Sequence, residues 1–297
     1  VDGLAKDASD LMKIKKIAAT LDDLNALACI VTETKLKNTH AIEFSGVDKY
    51  LFFGREHTPS PESPACGHGV GVYIRNIAGI HASRLPPPPG SDEILLIELS
   101  HTSWAKPILI IAAYVPPNCK QTYRQLMYST ITSTMDTYRD SHFVAAGADF
   151  NCRIGSLPEC DGLMPRTRVK DHAVNNAGTL LLNFLHVHNI AVVNTRVKKG
   201  TGDFTRVPRG SQVGTATTVD FLLCPLEQLP AFPEVHCFDG AHNGHQGRRR
   251  IYNGLLRLHP HDVGSDHTLI AASFTPSIDL PKSAKPKTSR FGMTNLE

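Results

Sequence analysis

Gly147-Ala148-Asp149-Phe150-Asn151 follows a strand-like apolar run at residues 142–146. An aspartate and an asparagine two positions apart after such a run form a turn readily, because both side chains bond the nearby backbone. The same pair also sets a carboxylate and an amide at the carboxyl end of a strand. Which reading holds depends on what the rest of the chain brings to that end.

Outward from this segment, runs rich in β-branched and aliphatic residues recur at 28–32, 50–54, 70–74, 94–99, 108–115, 190–194, 219–224 and 268–274. Several are continuously apolar, which predicts strands buried on both faces. Helical spacing marks three segments: Leu11, Ile14, Ile17, Ala18, Leu21 and Leu24; Tyr123, Leu126, Met127, Ile131, Thr134 and Met135; and Leu181, Leu182, Leu185 and Val187. Strands outnumber helices by about three to one, which predicts two packed sheets flanked by helices rather than an alternating doubly wound sheet. Thr58 to Pro64 and Pro86 to Gly90 are too proline-rich for ladder interiors.

The polar residues at the boundaries of these runs form an ordered set. Glu33 follows the 28–32 run, Tyr114 lies near the end of 108–115, Asp149 and Asn151 end the 142–146 run, Asp220 opens 219–224, and Ser265-Asp266-His267 precedes the last run. If outgoing and returning strands are neighbours, these residues meet on one edge as an acidic pocket with a single histidine. Carboxylate and amide oxygens from Glu33, Asp149, Asn151 and Asp266 suit Mg²⁺ or Mn²⁺, and Mg²⁺ is held by one or two carboxylates plus a substrate phosphate. Phosphate-ester hydrolysis fits: Asp220 orients one nitrogen of His267, the other faces the phosphate, and Asp149 deprotonates water. Taken singly, each residue also has a plain role as a strand-end carboxylate, a core aromatic or a cap.

Composition narrows the field without identifying a function. The 297 residues are 41% hydrophobic and 20% charged, which excludes a disordered tail or a collagen-like repeat. The longest apolar run, residues 108–115, is far short of the roughly 20 residues of a membrane-spanning helix. Seven widely spaced cysteines without a Cys-x-x-Cys pair predict reduced, mostly buried thiols and an intracellular protein. A net charge of +3 does not by itself indicate a polyanion partner. Residues 1–275 read as one domain, and 276–297 as a Pro/Ser/Lys-rich linker or tail.

Val1-Asp2-Gly3-Leu4, Thr32-Glu33-Thr34-Lys35, Ala113-Tyr114-Val115-Pro116, Gly147 to Asn151, Val219-Asp220-Phe221-Leu222-Leu223 and Gly264-Ser265-Asp266-His267 together resemble the endonuclease/exonuclease/phosphatase superfamily. Asn175-Asn176-Ala177-Gly178, the leucines after it, Val193-Asn194-Thr195 and Phe204-Thr205-Arg206 are most similar to the apurinic-type endonuclease domains of non-LTR retrotransposons. The resemblance implies a four-layer α/β sandwich of two mostly antiparallel sheets, and an Mg²⁺-dependent (or Mn²⁺-dependent) DNA nicking enzyme that leaves a 3′-hydroxyl. It implies a catalytic set of Tyr114, Asp149, Asn151, Asp220, Asp266 and His267. Glu33 and Asp266 would serve the metal, and Asn176, Thr205, Arg206 and Arg209 would contact DNA phosphate. Whether Asp149 or His267 is the base stays open. It also implies a monomeric, nuclear domain acting on DNA, fused to or working with a reverse transcriptase.

Two departures from the pattern carry expectations. The family's first strand ends in a metal-site asparagine just before Val-Asp-Gly-Leu, which puts that strand upstream of Val1. Ala148 replaces a customary glycine and is expected to crowd the backbone. These departures raise a catalytically inactive DNA-binding remnant as one alternative; a phosphoinositide- or sphingomyelin-type phosphodiesterase is another. Residues 205–214 read as a hairpin loop, which by resemblance to the specificity hairpin of retrotransposon nucleases is expected to enter a DNA groove. Residues 239–262, with His242, His245, Arg248, Arg249 and Arg250, read as a basic insertion whose spacing follows no zinc-ligand pattern.

Overall fold

The computed structural model describes residues 17–34 (except 19 and 23), 49–55, 69–91 (except 90), 93–155, 171–196, 205–206, 217–237, 267 and 270–274. The strands are β1 (Ala28–Thr32), β2 (Tyr50–Arg55), β3 (Val70–Arg75), β4 (His81–Arg84), β5 (Ile94–Ser100), β6 (Ile108–Tyr114), β7 (Phe143–Asp149), β8 (Ile190–Val192), β9 (Asp220–Pro225), β10 (Val235–Cys237) and β11 (Ile270–Ala272). Helices α1 (Gln121–Tyr138) and α2 (Asn176–Val187) flank the larger sheet. One sheet has the order β1-β3-β2, the larger β4-β5-β6-β7-β9-β8, and β10 pairs with β11. All described pairs are antiparallel except β6 with β7, whose crossover is supplied by α1.

Alternation along the central strands produces the layers. Every residue of β6 is buried. Leu109, Ile111 and Ala113 pack with Met127, Tyr128, Ile131 and Met135 of α1 and with Leu181 and Leu185 of α2. Their neighbours Ile108, Ile110, Ala112 and Tyr114 pack with Val70, Val72 and Ile74 of β3, across the gap between the sheets. Behind the smaller sheet, Ile17, Ala18 and Leu21, all helical, cover Val31, Phe52 and Tyr73. Helix, sheet, sheet and helix are thus stacked in four layers, and the continuous apolar runs are strands covered on both sides.

Two elements differ from the sequence pattern for local reasons. The 190–194 run ends as a strand at Val192 and turns into a short 3₁₀ segment, because Asn194 bonds β9 through its side chain rather than its backbone. The edge strand β4 is mostly exposed and has no apolar alternation; only pairing with β5 defines it. At the last run, Ile270–Ala272 forms the strand. Cys29, Cys119, Cys152 and Cys224 are free thiols, and all but Cys29 are buried. No helix among the described residues is long and apolar enough to cross a membrane. Residues 1–4, 58–64, 207–214, 239–262 and 276–297 lie outside the described residues.

Candidate active site

Strand direction collects the polar strand ends. Because β6 and β7 run parallel and β9 runs against β7, the ends of the first two and the start of the third share one edge. The register is direct: Tyr114 lies opposite Asp149, and Asp149 opposite Asp220. From the facing sheet, β1 delivers Glu33 just beyond its last residue. The sheets meet at Gly147, where a Cβ would stand 2.5 Å from Ile30 Cδ1, so the glycine permits the close approach of β1 to β7. Glu33 (φ 54°), directly after β1, and Asn151 (φ 46°), two residues after β7, both occupy the left-handed region.

Tyr114 is buried, and its hydroxyl donates to Glu33 Oε1 at 3.0 Å. Burial first, and then the charges of Glu33 and Asp149, raise its pKa far above the ordinary range, so it remains a neutral donor. Asp149 is 1% exposed. Its Oδ1 accepts the Asn151 backbone N–H at 2.9 Å, whereas Oδ2 is buried without a hydrogen-bond partner among the described residues. Burial and then the Asp220 charge push Asp149 up to about 8; His267 and the Asn151 N–H pull the other way, and Glu33 adds a smaller upward push. His267 Nδ1 lies 2.9 Å from Asp220 Oδ2 and 3.2 Å from Oδ1, while Nε2 lies 3.8 Å from Asp149 Oδ2. An ionised carboxylate only accepts, so Nδ1 carries the proton and Nε2 faces Asp149. The Asn151 side-chain amide donates to the Val115 carbonyl at 3.1 Å, pinning the turn after β7.

Of the residues read from sequence, Glu33, Tyr114, Asp149, Asn151, Asp220 and His267 are thus brought to one edge. Arg206 bridges both Thr217 and His267 through its backbone, so it adjoins this edge. Asn176 is the exposed first residue of α2, and the N-cap bond belongs to its neighbour Asn175. Asp266 and Arg209 lie outside the described residues. Two expectations are corrected. Thr205 is fully buried, with its hydroxyl oxygen accepting the Val219 and Asp220 backbone N–H groups at 2.9 and 3.0 Å; it supports Asp220 from beneath instead of meeting a phosphate. Ala148 does not crowd the strand: it continues the regular register between Ala113 and Phe221, with its side chain in the helix-side core.

The sequence pattern did not single out Glu93, a fully buried acid whose backbone carbonyl accepts the Tyr114 N–H at 3.1 Å. It directly precedes β5, which runs antiparallel to β6, so the strand-end logic that selected Glu33 applies to it as well. Nor did it single out Asn194 as a support, whose amide clasps the Asp220 carbonyl and the Leu222 N–H.

The donor set fits a hard divalent cation. Glu33, Asp149 and Asp220 concentrate negative charge at one edge, and Asp149 Oδ2 is a buried oxygen lacking the partner that burial normally demands. Ligand atoms of Asp149, Asp220 and His267 lie within 4.8 Å of one another, but Asp220 and Nδ1 already satisfy each other. The uncommitted oxygen of that trio is therefore on Asp149.

Neither the protein-family models nor the curated proteins include a match to this chain. Solved structures do match over nearly its full length. The endonuclease domain of TRAS1, a telomere-specific non-LTR retrotransposon, superposes with a TM-score of 0.55 at 12% identity, covering 89% of this chain and 92% of its own. An AP endonuclease from Archaeoglobus fulgidus gives 0.57 at 17% identity, covering 92% and 96%. The 3′-5′ exonuclease NExo from Neisseria meningitidis gives 0.59 at 14% identity, again covering 92% and 96%. The chain has the endonuclease/exonuclease/phosphatase fold.

Proposed function

We propose that this protein is a divalent-metal-dependent DNA endonuclease of the non-LTR retrotransposon type, hydrolysing a phosphodiester to leave a 3′-hydroxyl. The observation that carries the reading is the facing pair at the sheet edge: a buried, half-satisfied Asp149 opposite an Asp220-oriented His267, beside the Glu33–Tyr114 hydrogen bond. Structures of the same fold include an endonuclease domain, an AP endonuclease and an exonuclease, which supports DNA as the substrate.

In this reading Glu33 and Asp266 hold the cation, Mg²⁺ or Mn²⁺, which when bound neutralises phosphate charge and acts as a Lewis acid. Asp149, held near neutral pKa by burial, takes a proton from the attacking water, and Asn151 positions that water. As the water oxygen bonds to phosphorus, the P–O3′ bond breaks, and O3′ departs with the bonding pair and takes a proton from solvent water to become a hydroxyl. His267, kept in register by Asp220, faces the extra charge of the five-coordinate phosphorus, and Tyr114 steadies the phosphate or leaving oxygen. Arg206, Arg209 and Asn176 contact backbone phosphate. The protein acts as a monomeric nuclear domain, fused to or working beside a reverse transcriptase.

Supercoiled-plasmid relaxation with Mg²⁺ or Mn²⁺ tests this, comparing wild type with Glu33→Ala and His267→Ala. Both variants lose nicking if the assignment holds; activity that survives both changes overturns it. Release of phosphate from inositol phosphates, without nicking, would instead place the chemistry on a lipid-type ester.

A further inference from the structure

Asp171 is a buried acid that the proposed chemistry does not use. Its side chain is 1% exposed, and it gathers partners from three places. Arg153 Nε donates to both carboxylate oxygens at 3.1 Å, and the Arg153 guanidinium also bonds Oδ1 through a second nitrogen. The Ala173 N–H donates to Oδ1 at 3.2 Å, and the Thr218 N–H to Oδ2 at 3.0 Å. Thr218 stands two residues before Asp220, and Arg153 two residues after Asn151. One carboxylate therefore ties the turn leaving β7 to the segment entering β9.

Its anchorage is itself fixed. The Arg153 carbonyl accepts the Asn175 N–H at 3.1 Å, and Asn175 Oδ1 accepts the N–H groups of Gly178 at 2.8 Å and Arg153 at 3.2 Å. At Gly178 a Cβ would lie 1.9 Å from the Arg153 carbonyl oxygen, so α2 seats against this turn at glycine distance. The Asn-x-x-Gly motif at 175–178 thereby serves to hold Arg153. On the other side, Thr205 and Asn194 bond residues 219, 220 and 222. With Asp171 at Thr218, the successive N–H groups of residues 218, 219 and 220 are all held by side chains, while the Val219 carbonyl accepts the Phe150 N–H just past β7.

We infer that Asp171, fixed by Arg153, is a positioning residue that sets where Asp220 stands against His267 and couples that placement to the Asp149–Asn151 turn. This rests on the proposed hydrolytic reading only for its catalytic consequence; the placement of His267 is measurable without it. A positioning error of about 1 Å at such a site costs on the order of 100-fold in rate.

The test uses the full chain, metal-free for spectroscopy and with Mg²⁺ for kinetics. The Nδ1–H resonance of His267, identified by its absence in His267→Gln, reports the Asp220 hydrogen bond. In folded Asp171→Ala this resonance shifts or disappears, and kcat for plasmid nicking falls about 100-fold with KM unchanged. Asp171→Asn, which keeps an oxygen acceptor for Thr218, restores part of both readouts. Arg153→Lys keeps the charge but loses the fork, and serves if Asp171→Ala does not fold; it shifts the same resonance. A folded Asp171→Ala or Arg153→Lys protein with an unchanged His267 resonance overturns the inference, even if its melting temperature falls. If wild type nicks no DNA, the function is wrong, and the resonance alone decides the positioning role.

Discussion

His267 Nε2 and Asp149 Oδ2 face one another at 3.8 Å, too far apart for a hydrogen bond, while the other atom of each side chain is already bonded. The gap between them is bounded by a carboxylate held near neutral pKa and an imidazole of fixed tautomer. These are the two kinds of group needed to take a proton from water and to face the charge that follows.

Asp149→Asn should separate catalysis from stability. The variant loses the base, so nicking falls by about 10² to 10⁴-fold while plasmid binding persists. The folded pKa of about 8 lies above the unfolded value of roughly 3.9, so ionised Asp149 opposes folding. In metal-free protein the Asn variant therefore melts at a higher temperature than wild type at pH 8, and the difference shrinks as pH falls toward 4. Equal melting temperatures across that range would contradict the environment described for Asp149.

Asp171 has the opposite sign. Burial raises its pKa, but the hydrogen bond and charge of Arg153 and the backbone N–H groups of Thr218 and Ala173 outweigh burial and hold it below the usual carboxylate range. Its contribution is fully present above the unfolded value of about 3.9 and is lost as pH falls through the lower folded value. The stability difference between wild type and Asp171→Asn, followed by urea unfolding, should be constant at neutral pH and collapse only below about pH 4.

Thr205→Val preserves shape but removes the acceptor shared by Val219 and Asp220. Stranding buried N–H groups costs about 1–3 kcal/mol each, and both serve the strand that carries Asp220. Nicking should fall with DNA affinity unchanged. Loss of affinity at constant turnover would return Thr205 to the phosphate.

Gly178→Ala gains about 1 kcal/mol of helix propensity yet should destabilise the protein by several kcal/mol overall, because the new Cβ meets the Arg153 backbone carbonyl rather than a movable side-chain tip. Gly147→Ala should cost less, since its clash is with the end of Ile30. Chemical denaturation at a common pH ranks the two.

Arg206→Ala with Arg209→Ala should weaken DNA binding uniformly across sequences and reduce the slope of log K against log salt by about 0.9 for each phosphate no longer neutralised. Binding titrations from low to moderate salt measure it, and an unaltered slope would remove the pair from the interface.

Periodicity along the chain was enough to predict two packed sheets flanked by helices, with the polar strand ends on a shared edge. Continuous apolar runs such as 108–115 require cover on both faces, and the ordered strand ends required a shared edge; both follow from local pattern. Partnerships were settled only by packing. Thr205 looks like a surface hydroxyl in sequence, but the strand entering β9 needs an acceptor beneath it, so its oxygen turns inward. Asp171 lies in a polar stretch with nothing to mark it, and acquires its place only when Arg153 and Thr218 arrive from either side. The strand β4 exists because β5 offers it a ladder. A side chain's type is written in the chain, whereas the hydrogen-bond partner that satisfies it is supplied by segments distant in sequence, once packing has fixed their register.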